Sequence, residues 1–184
     1  MTAAVILAAG FGRRMGGPKA LLPVAGETLL QRAVRIAGEA GCSPIFAVVG
    51  AWAVGPLAPE VRVIRNHDAA EGMASSLRAG IGALPPETAA VLILTLDQLK
   101  VDADLLRRLL TLAALDPTRP TACAYADTLG IPAVFPGRLF PDLLALQGDR
   151  GAKAILLREN TAAMTFPEGD LDLDTPEDLD RFRH

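Results

Sequence analysis

The sequence predicts an α/β protein, a three-layer α/β/α sandwich built on a mostly parallel central sheet. Three observations predict it. Its short apolar runs are continuous rather than alternating, which marks strands buried on both faces. Amphipathic stretches at helical spacing lie between them, and strand–helix alternation means βαβ units. A glycine-rich segment follows the first run, at the place where such sheets bind ligands. The chain has 184 residues. At roughly 150 residues per domain, residues 1–184 are expected to form a single domain.

The first strand is Ala3–Ala8. Leu29, Leu30, Ala33, Ile36 and Ala37 then recur at helical spacing, and that pattern stops near Gly38 and Gly41. Pro44–Val49 and Val61–Ile64 are the next apolar runs. Met73 to Ile81 reads as a second helix, closed by Gly82 ahead of Pro85-Pro86. Val91–Leu96 is the most apolar strand. Leu105, Leu106, Leu109 and Leu112 make a third helix, entered through Asp102 or Asp104. Thr121–Tyr125 is a fifth strand. The last third is less regular. A short strand at Ala133–Phe135 follows Gly130-Ile131-Pro132, helices are expected near Pro141–Gln147 and Gly151–Arg158, and a strand at Ala162–Phe166. Thr175 as N-cap, Pro176 at the first helical position and Asp178 three beyond the cap signal a last helix over Pro176–Phe182.

Composition removes several functions. With 18 Lys+Arg against 21 Asp+Glu the formal charge is −3, and 51% of residues are apolar. That is too apolar for disorder and too acidic for a dedicated nucleic-acid binder. Aromatics at 4% leave no stacking platform for single strands. The two cysteines, Cys42 and Cys123, and the two histidines, His67 and His184, have no zinc spacing. The cysteines read as reduced, buried thiols. The longest apolar run, from Ala89 to Leu96, is far short of the ~20 residues of a membrane helix. No basic residue precedes the apolar stretch Ala3–Ala9, unlike a signal peptide. A cytoplasmic protein without membrane or nucleic-acid partners is expected.

The segment after the first strand is Leu7-Ala8-Ala9-Gly10-Phe11-Gly12-Arg13-Arg14-Met15-Gly16-Gly17-Pro18-Lys19. It fails two familiar phosphate loops. The dinucleotide fingerprint GxGxxG would begin at Gly10 and Gly12 but meets Met15 at its third glycine. A P-loop running from Gly12 to Gly17 meets Pro18 where it needs lysine. A longer loop remains, with four glycines, Arg13, Arg14 and Lys19. Glycines let backbone amides approach an anion, and the cations share its charge. The competing reading is a surface loop whose basic residues are incidental.

The carboxylates also have two readings each. Asp97 follows the most apolar strand, where a carboxylate points into the ligand crevice or caps the next turn. Asp172 and Asp174 sit two apart and share a face in an extended segment. They either face a metal or belong to the start of the last helix. Ser75 and Ser76 lie in the first turn of the second helix, as caps or as ligand contacts.

The glycine loop resembles the LAAGxGxRMGxxK signature of the nucleotidyltransferases with the MobA-like fold. Four further pieces are similar, in order: Gly72-Met73-Ala74-Ser75-Ser76-Leu77, Leu94-Thr95-Leu96-Asp97-Gln98, Gly130-Ile131-Pro132 with Phe135, and Asp172-Leu173-Asp174-Thr175-Pro176-Glu177-Asp178-Leu179. Leu146-Gln147-Gly148-Asp149-Arg150-Gly151-Ala152 resembles the molybdenum cofactor cytidylyltransferase (MocA-like) branch in particular. The chain departs from the family at Leu99-Lys100, where proline often follows the Asp97-Gln98 pair.

The resemblance implies a Rossmann-like fold of the nucleotide-diphospho-sugar transferase type. It implies Mg²⁺ on Asp97, with Asp174 and Asp172 as further carboxylates near the metal, and Lys19, Arg13 and Arg14 on the phosphates. Backbone groups of Leu7, Ala8 and Ala9 would read the base, with Gly10, Gly12, Ser75 and Ser76 around the nucleotide. Gly130 and Pro132 would be among the binding residues, and Asp149 would be a third carboxylate candidate, facing the second substrate. The implied reaction moves a nucleoside monophosphate from an NTP, CTP or GTP, to a molybdopterin-type phosphate acceptor. A transient contact with the molybdoenzyme that receives the product is also implied. Three alternatives remain: a guanylyltransferase or a sugar- or polyol-phosphate nucleotidyltransferase, a non-catalytic cofactor carrier, and a dinucleotide-dependent redox enzyme. Charge is segregated along the chain. Residues 1–26 carry three cations and no acid, and residues 166–184 carry seven acids and two arginines. The fold is expected to bring these ends together across one crevice.

Overall fold

The computed structural model describes residues 1–12, 15–173, 175 and 178. Strand β1 (Ala3–Ala8) is followed by a small hairpin, β2 (Pro23–Val24) and β3 (Glu27–Thr28). Then come β4 (Ile45–Val49), β5 (Val61–Arg65), β6 (Ala90–Thr95), β7 (Thr121–Tyr125), β8 (Thr128–Pro136) and β9 (Ala162–Thr165). Seven of these form one sheet in the order β5-β4-β1-β6-β8-β7-β9. Only β8 runs against its neighbours, β6 and β7, so the sheet is mostly parallel.

The helices are α1 (Leu29–Glu39), α2 (Met73–Gly82), α3 (Ala103–Leu115), α4 (Phe140–Leu144) and α5 (Lys153–Arg158). The alternation of side chains along β1 explains its unbroken apolar sequence. Ala4, Ile6 and Ala8 pack with Leu29, Leu30 and Ala37 of α1 and Leu106 and Leu109 of α3. Ala3, Val5 and Leu7 pack on the other face with Leu77 and Ile81 of α2, Leu143 of α4 and Leu156 of α5. Each fully buried side chain of this size contributes about 1.5–3 kcal/mol, and the two half-cores hold the three layers together.

Local sequence sets the helix starts. Thr28 caps α1 by accepting from Gln31 N at 3.2 Å, and Gln31 Oε1 accepts from Thr28 N at 2.9 Å. This reciprocal box satisfies two amides that the first turn leaves open. Asp102 caps α3 by accepting from Leu105 N at 2.8 Å, which settles the choice between Asp102 and Asp104. Asp104 instead pairs with Arg107 in the first turn. Thr175 and Asp178 make the expected box at the chain's acidic end, with Thr175 N donating to Asp178 Oδ2 at 2.8 Å. The remainder of the helix expected over Pro176–Phe182 lies outside the described residues.

Two strands depart from expectation. Val61–Arg65 is an edge strand with exposed residues rather than a run buried on both faces. The strand expected at Ala133–Phe135 is three times longer, Thr128–Pro136, because it begins in a hairpin with β7. That hairpin turns through Ala126 and Asp127 at φ of 47° and 55°. Left-handed turns of this kind usually carry glycine or asparagine, so the sequence gives no signal for it.

Candidate active site

Parallel strands β4, β1 and β6 end at the same edge of the sheet, and the register sets Leu7 beside Thr95 and Ala8 beside Val49. Such an edge is where open α/β sheets bind ligands. A cleft of about 310 Å³ opens there. Leu7, Ala8, Ala9 and Gly10 line it.

Gly12 closes the glycine loop on itself. Its φ is +54°, and a Cβ there would collide with the Gly17 carbonyl and press on the Lys19 stem. The loop therefore folds back, with Met15 N donating to Gly12 O at 2.8 Å, and returns Lys19 to the cleft. Lys19 Nζ donates to Asp97 Oδ2 at 3.4 Å, and both side chains are partly buried. Asp97 follows β6 on the other side of the cleft. Arg13 and Arg14 lie outside the described residues.

Helix α2 forms the facing wall. Gly72 precedes it at φ 122°, and a Cβ there would strike the Gly148 carbonyl and the Asp149 carboxylate. Ala74 N donates to Gly148 O at 3.1 Å, which ties the helix start to the loop that carries Asp149. Asp149 lines this cleft. Ser76 also lines it. Ser75 does not; its hydroxyl donates to Gly72 O at 2.8 Å and stays inside. Both hydroxyls accept from Asn66 Nδ2, at 2.8 Å for Ser75 and 3.0 Å for Ser76. Asn66 has no motif to announce it. Its position just past the end of β5 is the one available signal.

A second hollow, of about 230 Å³, adjoins the first and shares Met73, Thr95 and Asp97 with it. It is lined by Tyr125, Gly130, Lys153 and Asp172 among others. Gly130 is required because a Cβ would collide with the Tyr125 hydroxyl. Tyr125 donates to Ile131 O at 3.1 Å. Burial pushes its phenol above the ordinary value, only partly offset by the Gln98 amide, so it remains a neutral hydroxyl at physiological pH. Pro132 is buried within β8 and lines neither hollow.

The acidic end is fastened to this junction through Gln98. Gln98 Nε2 donates to Gly169 O at 2.7 Å, Gln98 bridges Asp172 in antiparallel fashion, and Leu173 N donates to Asp97 O at 2.9 Å. These bonds bring Asp172 to the hollow that Asp97 borders. Asp174 lies outside the described residues. Among the described residues no cluster of three or more His, Cys, Asp or Glu forms a metal site. Asp97 and Asp172 are oxygen donors of the kind that suits a hard cation completing its shell with phosphate and water.

The nicotine blue oxidoreductase of Paenarthrobacter nicotinovorans is 34% identical over 83% of this chain and 79% of its own. The purine catabolism protein PucB of Bacillus subtilis strain 168 is 30% identical over 97% of this chain and 94% of its own. A probable molybdenum cofactor guanylyltransferase of Opitutus terrae is 52% identical over 25% of this chain and 23% of its own. The crystal structure of Rv0371c from Mycobacterium tuberculosis H37Rv superposes with a TM-score of 0.79 at 27% identity, covering 100% of this chain and 98% of that one. The same protein's complex with manganese superposes at 0.74 and 27% identity, covering 98% of this chain and 96% of that one. Residues 4–163 match the MobA-like NTP transferase domain, and this chain belongs to that family of nucleotidyltransferases.

Proposed function

We propose that the chain, acting as one domain, transfers a nucleoside monophosphate from CTP to the terminal phosphate of a molybdopterin-type cofactor, in the cytoplasm, and that Mg²⁺ serves the reaction. The observation that carries this reading is the Lys19–Asp97 pair at the junction of two hollows. One hollow has the Leu7–Gly10 segment and glycine loop suited to a nucleotide, and the other has room for an acceptor on the far side of the same carboxylate. The MocA-like stretch around Asp149 and the relative named for molybdenum cofactor guanylyl transfer support the acceptor assignment.

An acceptor phosphate oxygen attacks the α-phosphorus. The bond between the α-phosphorus and the bridging oxygen breaks, and its electron pair leaves with pyrophosphate. No protein nucleophile takes part, so the protein's work is positioning and charge neutralisation. Lys19, together with Arg13 and Arg14, holds the leaving phosphates. The amides of Leu7–Gly10 orient the base and ribose, and Ser76 borders the same space. Asp97 and Asp172, with Asp174 beyond the described residues, would hold the Mg²⁺, which when bound polarises the α-phosphate. The manganese complex of Rv0371c supports divalent metal use.

Incubation with each of the four NTPs, Mg²⁺ and molybdenum cofactor tests the reading through pyrophosphate. CTP should give the largest release. Release with GTP alone assigns the guanylyl reaction instead, and none with any NTP removes the reading. The relative named nicotine blue oxidoreductase favours a second reading, a redox enzyme using a dinucleotide. Metal-independent oxidation of NADH or NADPH would establish it. Met15, where the dinucleotide loop requires glycine, speaks against it.

A further inference from the structure

Phe11 sits between Gly10 and Gly12, the two loop glycines that line the first cleft, yet Phe11 does not line that cleft itself. Its ring meets the ring of Trp52 edge-on, with centroids 5.3 Å apart and an interplanar angle of 86°. Trp52 does not line the cleft either. The two aromatics thus meet outside the lining and join segments far apart in sequence.

Trp52 stands on a firm base. It belongs to the loop after β4, and Arg65 closes β5. Arg65 Nη1 donates to Trp52 O at 2.7 Å and to Gly50 O at 3.3 Å. The register sets Arg65 beside Val49, so these bonds tie the loop to the end of the sheet. The indole lies against Gly50, where a Cβ would collide with its six-membered ring. A buried indole N–H usually finds an acceptor. Here Nε1 is buried without a hydrogen-bond partner among the described residues. Packing on Gly50 and against Phe11 therefore sets the position of the ring.

Phe11 has the opposite setting. It is 63% exposed, in a segment with glycines at 10, 12, 16 and 17. Glycine loses more backbone freedom on ordering than any other residue. A glycine-rich stretch needs contacts beyond its own backbone to keep one conformation. The Trp52 ring supplies such a contact, and a shift of the Phe11 ring carries Gly10 and Gly12 with it.

We propose that Trp52 is a positioning residue for nucleotide binding, acting through Phe11 to hold the Gly10–Gly12 stretch in the conformation that receives the triphosphate. This rests on the nucleotidyl-transfer reading and adds to it a residue outside the cleft. An edge-on aromatic pair is worth about two- to tenfold in an equilibrium constant. Without the pair the receptive conformation is populated less, and the apparent NTP affinity falls by that factor.

Trp52 is the single tryptophan of the chain, so its fluorescence reports on the contact directly. Phe11→Ala should shift the emission of the nucleotide-free chain to the red, because water replaces the Phe11 ring at the indole. Equilibrium dialysis then measures affinity for CTP with Mg²⁺, or for GTP where the pyrophosphate assay selects it. Phe11→Ala and Trp52→Ala should each bind about two- to tenfold more weakly, with kcat changed less than KM. Trp52→Phe should keep most of the affinity. The double alanine variant should be no weaker than either single one, since both remove the same contact. Unchanged emission in Phe11→Ala, wild-type affinity in either alanine variant, or additive losses in the double variant would overturn the proposal. Failure of the nucleotidyl-transfer reading shows separately, as no pyrophosphate with any NTP, and leaves the emission and dialysis measurements intact.

Discussion

Lys19 Nζ lies 3.4 Å from Asp97 Oδ2, although 78 residues separate them in sequence. The fold brings them together because β1 and β6 are parallel neighbours whose ends share one edge. The pair's place at the meeting of both hollows makes it a charge balance awaiting a ligand. In the proposed reaction a metal-bound triphosphate would offer a cation to Asp97 and an anion to Lys19, so each would exchange its partner.

Replacing either member should therefore cost activity far more than stability. A partly exposed ion pair contributes less than about 1 kcal/mol to folding. Removing a group that stabilises transition-state charge costs about 10²- to 10³-fold in kcat. Asp97→Asn and Lys19→Met should each show that loss in pyrophosphate release, with thermal melting nearly unchanged. Full turnover in Asp97→Asn would remove the metal assignment.

Gly12 should not tolerate alanine. The left-handed conformation costs an L-residue about 1–2 kcal/mol, and the Cβ would also strike the Gly17 carbonyl. Gly12→Ala should raise KM for the NTP by displacing Lys19 from the cleft. Gly16→Ala, at φ +75° but with open space around its Cβ, should have the smaller effect. Steady-state kinetics on the two variants decides this.

Asn66 should matter to stability and to the α2 wall together. Its amide donates to two buried hydroxyls and its Oδ1 accepts from Asp68 N at 3.0 Å. Asn66→Ala orphans these groups and should cost about 1–3 kcal/mol, measured by urea unfolding. Ser75→Ala removes one acceptor and should cost less.

Cys42 and Cys123 should be inert in the native protein. Burial pushes each thiol from its ordinary 9.0 up to about 12. The folded state therefore keeps protons that the unfolded chain releases. The thiols' contribution to stability should be constant below pH 9 and fall as pH rises from about 9 toward 12. A disulfide reagent at pH 8 should label neither thiol until urea is added. Fast labelling without denaturant would contradict the burial.

Much of the fold was legible because burial on two faces writes itself as unbroken apolar runs, as in β1 and β6. Edge strand β5 is less buried than its sequence suggests, since Val61, Val63 and Ile64 are apolar without being covered on both sides. The full length of β8 was hidden by a hairpin turn through Ala126 and Asp127, which lacks the usual glycine. Within the site, Lys19, Asp97 and the glycine loop were legible because their chemistry is local to short motifs. Asn66 and Tyr125 were not, because neither lies in a motif, and the fastening by Gln98 was not, because its partner Gly169 is 71 residues along the chain. Lys19 of the basic segment pairs with Asp97, whose carbonyl accepts from Leu173 of the acidic segment, while Arg13, Arg14 and Asp174 lie outside the described residues.

In the proposed reaction one carboxylate, that of Asp97, serves a nucleotide on one side and a phosphorylated acceptor on the other. Pyrophosphate release by wild type and Asp97→Asn, with CTP, molybdenum cofactor and graded Mg²⁺, tests it most directly. Stoichiometric, metal-dependent release by wild type and a loss of about 10²-fold or more in the variant are predicted. Release that ignores both the metal and the substitution, or oxidation of NADH or NADPH in its place, would contradict it.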